Sequence, residues 1–89
     1  MAWTLEYDPD ALRELNKLDR TVRERIVKFL QERLAPLDNP RPLGKRLHGE
    51  WSDFWRFRVG DYRVIATLEQ QRLIIAVVRV AHRSEAYDR

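Results

Sequence analysis

Arg56, Arg58 and Arg63 flank the dipeptide Gly60-Asp61 in the segment Trp55-Arg56-Phe57-Arg58-Val59-Gly60-Asp61-Tyr62-Arg63-Val64. Glycine at the first central position of a two-residue connection signals a hairpin turn. With that turn in place Val59 faces Tyr62, Arg58 faces Arg63 and Phe57 faces Val64. Directly opposed side chains lie about 5 Å apart at Cβ. Arg56 stands two residues from Arg58 and so shares its face. The three guanidinium groups form one cluster, and Trp55, Phe57, Val59, Tyr62 and Val64 fall on the other face. Opposed like charges destabilise a hairpin, so the cluster reads as a receptor for an anion. The planar fork of arginine matches phosphate bidentately. The alternative is pairing with Glu50, Asp53 or a helix carboxylate.

A second constellation occupies residues 81–89, Ala81-His82-Arg83-Ser84-Glu85-Ala86-Tyr87-Asp88-Arg89. It places an imidazole, a guanidinium and a phenol within six residues. Histidine exchanges protons near neutral pH, and tyrosine stacks on a nucleobase. The plainer alternatives are a structural histidine and a tyrosine packed on the body. Lys45, Arg46 and Trp51 are expected to add RNA contacts, whereas Trp3 and Trp55 read as core. His48, in the Leu47-His48-Gly49 turn, reads as surface. Two distant histidines and no cysteine make a poor metal site, so no metal and no cofactor are expected. Neither a Gly-rich phosphate loop nor a Gly-x-Ser-x-Gly elbow occurs.

Positioning these groups requires a sheet and something to cover one side of it. Trp3-Thr4-Leu5-Glu6-Tyr7 alternates apolar and polar, as a half-buried strand does. Asp8-Pro9 is a helix start, with Asp8 as cap and Pro9 at the first helical position. Leu12, Leu15 and Leu18 then suggest a helix of about nine residues. Asp19 caps a second helix whose apolar stripe is Val22, Ile26, Phe29, Leu30 and Leu34. Ala35-Pro36 ends it. Residues 35–49 carry three prolines and two glycines and read as a loop. Three strands follow: Phe54 to Val59, Tyr62 to Leu68, and Leu73 to Val80, the last nearly all apolar and therefore central. The expected order is β-α-α-β-β-β, an α+β domain over residues 1–89 with a helical hairpin packed on one face of an antiparallel sheet.

Composition agrees with a nucleic-acid partner. Residues 1–40 carry seven Lys+Arg and eight Asp+Glu, a net of −1; residues 41–89 carry ten and six, a net of +4. Fourteen of the seventeen cations are arginine. A basic, Arg-rich half suggests a polyanion, although a solvated surface that favours arginine is the plainer reading. At 44% hydrophobic and 35% charged the chain suits a soluble globular domain. No apolar run approaches the roughly 20 residues of a membrane span. Residues 1–4 lack the marks of a secretory signal. With no cysteine there is no disulfide framework, and a cytoplasmic protein is expected.

Leu47-His48-Gly49-Glu50-Trp51, the segment from Trp55 to Ile65, and Val80-Ala81-His82-Arg83-Ser84-Glu85-Ala86-Tyr87 together resemble the RelE branch of the RelE/ParE toxin superfamily. The resemblance spans nearly the whole chain. It implies a toxin of a type II toxin–antitoxin pair that enters the ribosomal A site and cuts messenger RNA. It also implies a small antitoxin that wraps and blocks the toxin, and a complex that binds operator DNA mainly through the antitoxin. Arg56 and Arg58 match strand positions that RelE fills with lysine. Arg63 matches the arginine that holds the scissile phosphate, Arg83 the arginine at the leaving group, and Tyr87 the tyrosine that stacks on a base. His82 takes the place of a lysine. Arg58 departs from the pattern, because a lysine is proposed there as general base and arginine is a poor base. The tail between Arg83 and Tyr87 is about two residues shorter than in RelE. Two other readings stand beside this one: a ParE-like poison of DNA gyrase, against which Arg56, Arg58, Arg63 and Tyr87 together argue, and a non-catalytic nucleic-acid-binding module.

Overall fold

The computed structural model describes residues 2–85. Strand β1 (Thr4–Tyr7) leads into helix α1 (Pro9–Lys17) and helix α2 (Arg20–Lys28), which continues as a π-helical turn over Phe29–Leu34. Strands β2 (Gly44–Arg46), β3 (Phe54–Val59), β4 (Tyr62–Glu69) and β5 (Ile74–His82) follow. They build one five-stranded sheet in the order β1-β5-β4-β3-β2.

The α+β arrangement expected from the sequence is present, with two departures. The sheet is mixed: β1 pairs parallel with β5, Thr4 opposite Ile74 and Tyr7 opposite Val77, while the other pairs are antiparallel. A parallel neighbour is reached only through a long connection, here everything between residues 8 and 73. The segment 35–49 is also more than a loop. Gly44–Arg46 forms an edge strand against β3, with Gly44 opposite Phe57. A Cβ at Gly44 would sit 2.5 Å from the Phe57 ring, so glycine is what lets this strand close on the sheet.

The helices cover one face. Ala11, Leu15, Ile26, Leu30 and Leu34 pack with Phe57, Val59, Val64, Ala66, Ile75, Val77 and Val80 in a single core. Leu12, expected in the α1 stripe, is 45% exposed instead. Steps of four and three from Ala11 through Leu15 to Leu18 follow the helical period better than steps of three do. Asp19 caps α2 through its side chain, accepting from the Thr21 N–H at 3.2 Å. Asp8 is the α1 cap residue without a side-chain bond. Its carbonyl accepts the Leu12 N–H instead.

The loop before β2 is pinned by stacking. The Arg41 guanidinium lies 5.9 Å from the Trp3 ring and 6.0 Å from the Trp55 ring, and it donates to Asn39 Oδ1 and Gln70 Oε1. Trp3 is buried and donates its indole N–H to the Asp38 carbonyl. At the β3–β4 turn Gly60 has φ +59° and Asp61 has negative φ, as a turn with glycine at its first central position requires.

Candidate nucleic-acid interface

The hairpin register places the arginines as expected: Val59 opposite Tyr62, Arg58 opposite Arg63, Phe57 opposite Val64, and Arg56 opposite Ile65. Phe57 and Val64 point to the helices and are fully buried, so Arg56, Arg58 and Arg63 point away from them. Neighbouring strands extend both rows. Lys45 pairs with Arg56, and Arg79 pairs with Ile65, so one row across the outer face runs Lys45, Arg56, Ile65, Arg79. The next row runs Arg58, Arg63, Ala81.

Arg58 is exposed and Arg63 half-buried. Neither has a carboxylate partner among the described residues; Arg63 Nη1 reaches only the neighbouring Tyr62 carbonyl, at 3.5 Å. For these two side chains, pairing with Glu50 or Asp53 is not what the structure shows. Two directly opposed guanidinium groups without a counter-charge make a local positive potential aimed at solvent, suited to a phosphate.

Arg83 joins this end of the sheet. It lies in a short 3-10 turn, Arg83–Glu85, that folds back on the β3–β4 turn. Its backbone N–H donates to the Asp61 carbonyl at 2.7 Å. Its Nε lies 3.9 Å from Asp61 Oδ1, with both side chains exposed. The Asp61 carbonyl thus fixes where the chain leaves β5.

His82 is placed differently. It pairs with Tyr62 and so lies on the helix side of the sheet, not with Arg58 and Arg63. A β-bulge decides this. Ile65 pairs with Arg79 and Ala66 with Val77, which leaves Val78 as the extra residue. One extra residue reverses the facing of everything after it. Arg79 therefore turns outward, and Val80 and His82 turn toward the helices. The imidazole meets the Tyr62 ring edge-on at 5.2 Å. Its Nδ1 accepts the Ser84 N–H at 3.2 Å and lies 2.9 Å from Ser84 Oγ. A backbone N–H can only donate, so the neutral ring carries its proton on Nε2.

Lys45 shares the arginine face, but Arg46 does not. Arg46 pairs with Trp55 on the helix side, and its Nε donates to the Ser52 carbonyl at 2.6 Å. Trp51 is 52% exposed and tilts against Phe54 with ring centroids 5.7 Å apart. It lines a groove of about 540 Å³ on the outer face with Leu47, Phe54, Ile65, Val78 and Arg79, bordered by the cap residue Asp8 and by Asp10 of α1. Tyr87 lies outside the described residues. Sequence reasoning missed Arg79 and the apolar groove beside it. Both depend on the bulge at Val78, which the unbroken apolar run of β5 conceals.

Comparison with known proteins decides the family. The model of the ParE toxin of type II toxin–antitoxin systems, parDE, matches residues 5–87. The chain belongs to the RelE/ParE toxin family. Toxin RelG of Mycobacterium tuberculosis is 30% identical over 91 aligned positions covering all of both chains. The mRNA interferase toxin RelE of Escherichia coli is 33% identical, over 98% of this chain and 92% of that one. Among solved structures, the toxin–antitoxin complex RelBE2 of Mycobacterium tuberculosis holds a chain that superposes with a TM-score of 0.85 at 26% identity, over 92% of this chain and 99% of that one. The chain thus presents its basic rows on the sheet face that the helices leave open.

Proposed function

We propose that residues 1–89 form one toxin domain that cleaves messenger RNA on the ribosome, in the A site, without a metal. The observation that carries this reading is the Arg58–Arg63 pair, opposed across β3 and β4 with no carboxylate partner among the described residues. The reaction is attack of a ribose 2′-OH on the adjacent phosphate. The O2′–P bond forms, the P–O5′ bond breaks, and the products are a 2′,3′-cyclic phosphate and a free 5′-OH. Arg56, Arg58 and Arg63 hold the phosphoryl oxygens, where charge grows in the transition state. Arg83, one turn away, stabilises or protonates the departing 5′-oxygen. Tyr87 stacks on a base and helps hold the in-line geometry, an orientation effect that supplies several kcal/mol in favourable cases. Lys45 and Trp51 extend the RNA contact along the same face.

His82 faces the helix side of the sheet with its Nδ1 engaged by Ser84, and it takes no part in holding the phosphate on the arginine face. Arg58 stays cationic and acts electrostatically, so the 2′-OH proton leaves to water. A site without a strong base depends on how the messenger is presented, and cleavage of free RNA is therefore weak. The relative named an mRNA interferase and the solved toxin–antitoxin complex support this assignment. A cognate antitoxin would neutralise the toxin, and the complex would reach operator DNA through it. Among the described residues no helix is long and apolar enough to cross a membrane, and the reading places the protein in the cytoplasm with the ribosomes.

Primer extension on a defined messenger, translated in a reconstituted system, tests the assignment with wild type and Arg63→Ala. New stops at A-site codons that vanish in the variant are expected. Growth arrest without any stops would sink the nuclease reading and move attention to DNA gyrase. Salt-sensitive RNA binding without products would leave a binding module.

A further inference from the structure

Strand β1 covers the outer edge of β5 only as far as Val77, where the Asp8 N–H donates to the Val77 carbonyl at 2.8 Å. Beyond that point this edge of β5 has no strand beside it among the described residues, although it leads directly to Ala81, His82 and Arg83. A bare edge leaves backbone N–H groups without ladder partners. Helix α1 crosses there, and one carboxylate meets the gap. Glu14 Oε1 accepts the Val80 N–H at 2.7 Å, and Oε2 accepts Arg79 Nε at 3.0 Å and Nη2 at 2.8 Å. The Glu14 side chain is 25% exposed. The adjacent Leu15 is buried in the core, so helix packing determines where the carboxylate sits.

We infer that Glu14 is a positioning residue for the cleavage site, setting the path of β5 at the point where it delivers Arg83 to the β3–β4 turn that joins the strands of Arg58 and Arg63. Val80 lies across from Val64, and the next residue, Ala81, lies across from Arg63. A shift of the β5 edge at Val80 is therefore passed both to the strand that carries Arg63 and to the turn that carries Arg83. Glu14 touches neither substrate nor reacting atoms and acts through the Val80 N–H and the Arg79 guanidinium. The inference rests on the nuclease reading for its consequence, and on the three hydrogen bonds for its geometry.

The test uses the full chain as Glu14→Ala and Glu14→Gln. Glutamine keeps an acceptor oxygen for the Val80 N–H and drops the charge facing Arg79. Single-turnover cleavage of ribosome-bound messenger is expected to fall roughly tenfold in Glu14→Ala, with affinity for the programmed ribosome unchanged within about a factor of two. Glu14→Gln is expected to recover most of the rate. Amide exchange read by NMR should quicken about tenfold or more at Val80 in Glu14→Ala, and stay unchanged in β3. Rate and affinity falling together, or no rescue by glutamine, would overturn the inference and leave Glu14 a plain stability contact. Exchange that quickens throughout the sheet, or nowhere, would overturn it as well. If the wild type cleaves nothing, the nuclease reading falls and the exchange pattern alone judges the placement of β5.

Discussion

Replacing Arg58 by glutamine should make the protein more stable and less able to hold an anion. Arg58 and Arg63 are directly opposed and have no carboxylate partner among the described residues. Two unit charges about 5 Å apart in water repel by about 0.8 kcal/mol, and opposed like charges on a sheet cost roughly 0.2–1 kcal/mol. Arg58 is exposed, so the lower part of that range applies, about 0.5 kcal/mol. For a domain this small that is a rise of roughly 2–4 °C in Tm. The assay is thermal unfolding of both proteins in a low-salt buffer, repeated in about 1 M sodium chloride, where the Debye length falls to about 3 Å. The gain should be largest at low salt and shrink as salt rises. Added inorganic phosphate should stabilise the wild type more than the variant. Arg58→Gln unfolding below the wild type at low salt, or a gap indifferent to salt, would refute the reasoning. It would mean that the arginine pair is held together by contacts that offset its repulsion.

Three further outcomes are expected. Gly44→Ala should lose about 1–3 kcal/mol in chemical denaturation, because its Cβ would meet the fully buried Phe57 ring at 2.5 Å and the Arg56 carbonyl at 2.8 Å; a neutral effect would show that β2 can lift from β3 freely. Tyr7→Phe should be neutral or stabilise by up to about 1 kcal/mol, since the Tyr7 hydroxyl is buried without a hydrogen-bond partner among the described residues. Burial also pushes the Tyr7 phenol above its ordinary value, so the folded state keeps a proton that the unfolded state releases near pH 10. Wild-type stability should therefore decline as pH rises above about 10, and calorimetry should find that part of the decline missing in Tyr7→Phe. Finally, nitrogen-15 NMR of the neutral protein should find the His82 proton on Nε2; a proton on Nδ1 would contradict the Ser84 contacts.

The arginine hairpin is legible in the sequence because it is local. A two-residue turn with glycine leading and strict alternation around it leave one register open, and that register carries Arg56, Arg58 and Arg63 to one face. The helices are legible from their stripes, except that Ala11 and not Leu12 faces inward. Side-chain size marks apolarity well and direction poorly. The edge strand Gly44–Arg46 is not legible, since three residues are too few to display a period and their neighbours include prolines. His82 is legible as a candidate for chemistry, but its facing is not. That facing depends on the bulge in β5, and in the apolar run from Leu73 to Val80 no residue type announces that Val78 is the extra one.

Alternation and turn chemistry act between residues a few positions apart, and they suffice to put Arg56, Arg58 and Arg63 on one face with an apolar layer beneath them. No local pattern shows that β1 lies parallel to β5, that a bulge turns Arg79 outward and His82 inward, or that Glu14 of α1 holds the edge of β5; the assembled fold does. Each of these joins residues more than ten positions apart. Such pairings are chosen by the packing of helices on the sheet and by the need to satisfy backbone groups at its edge, not by any pattern within a segment.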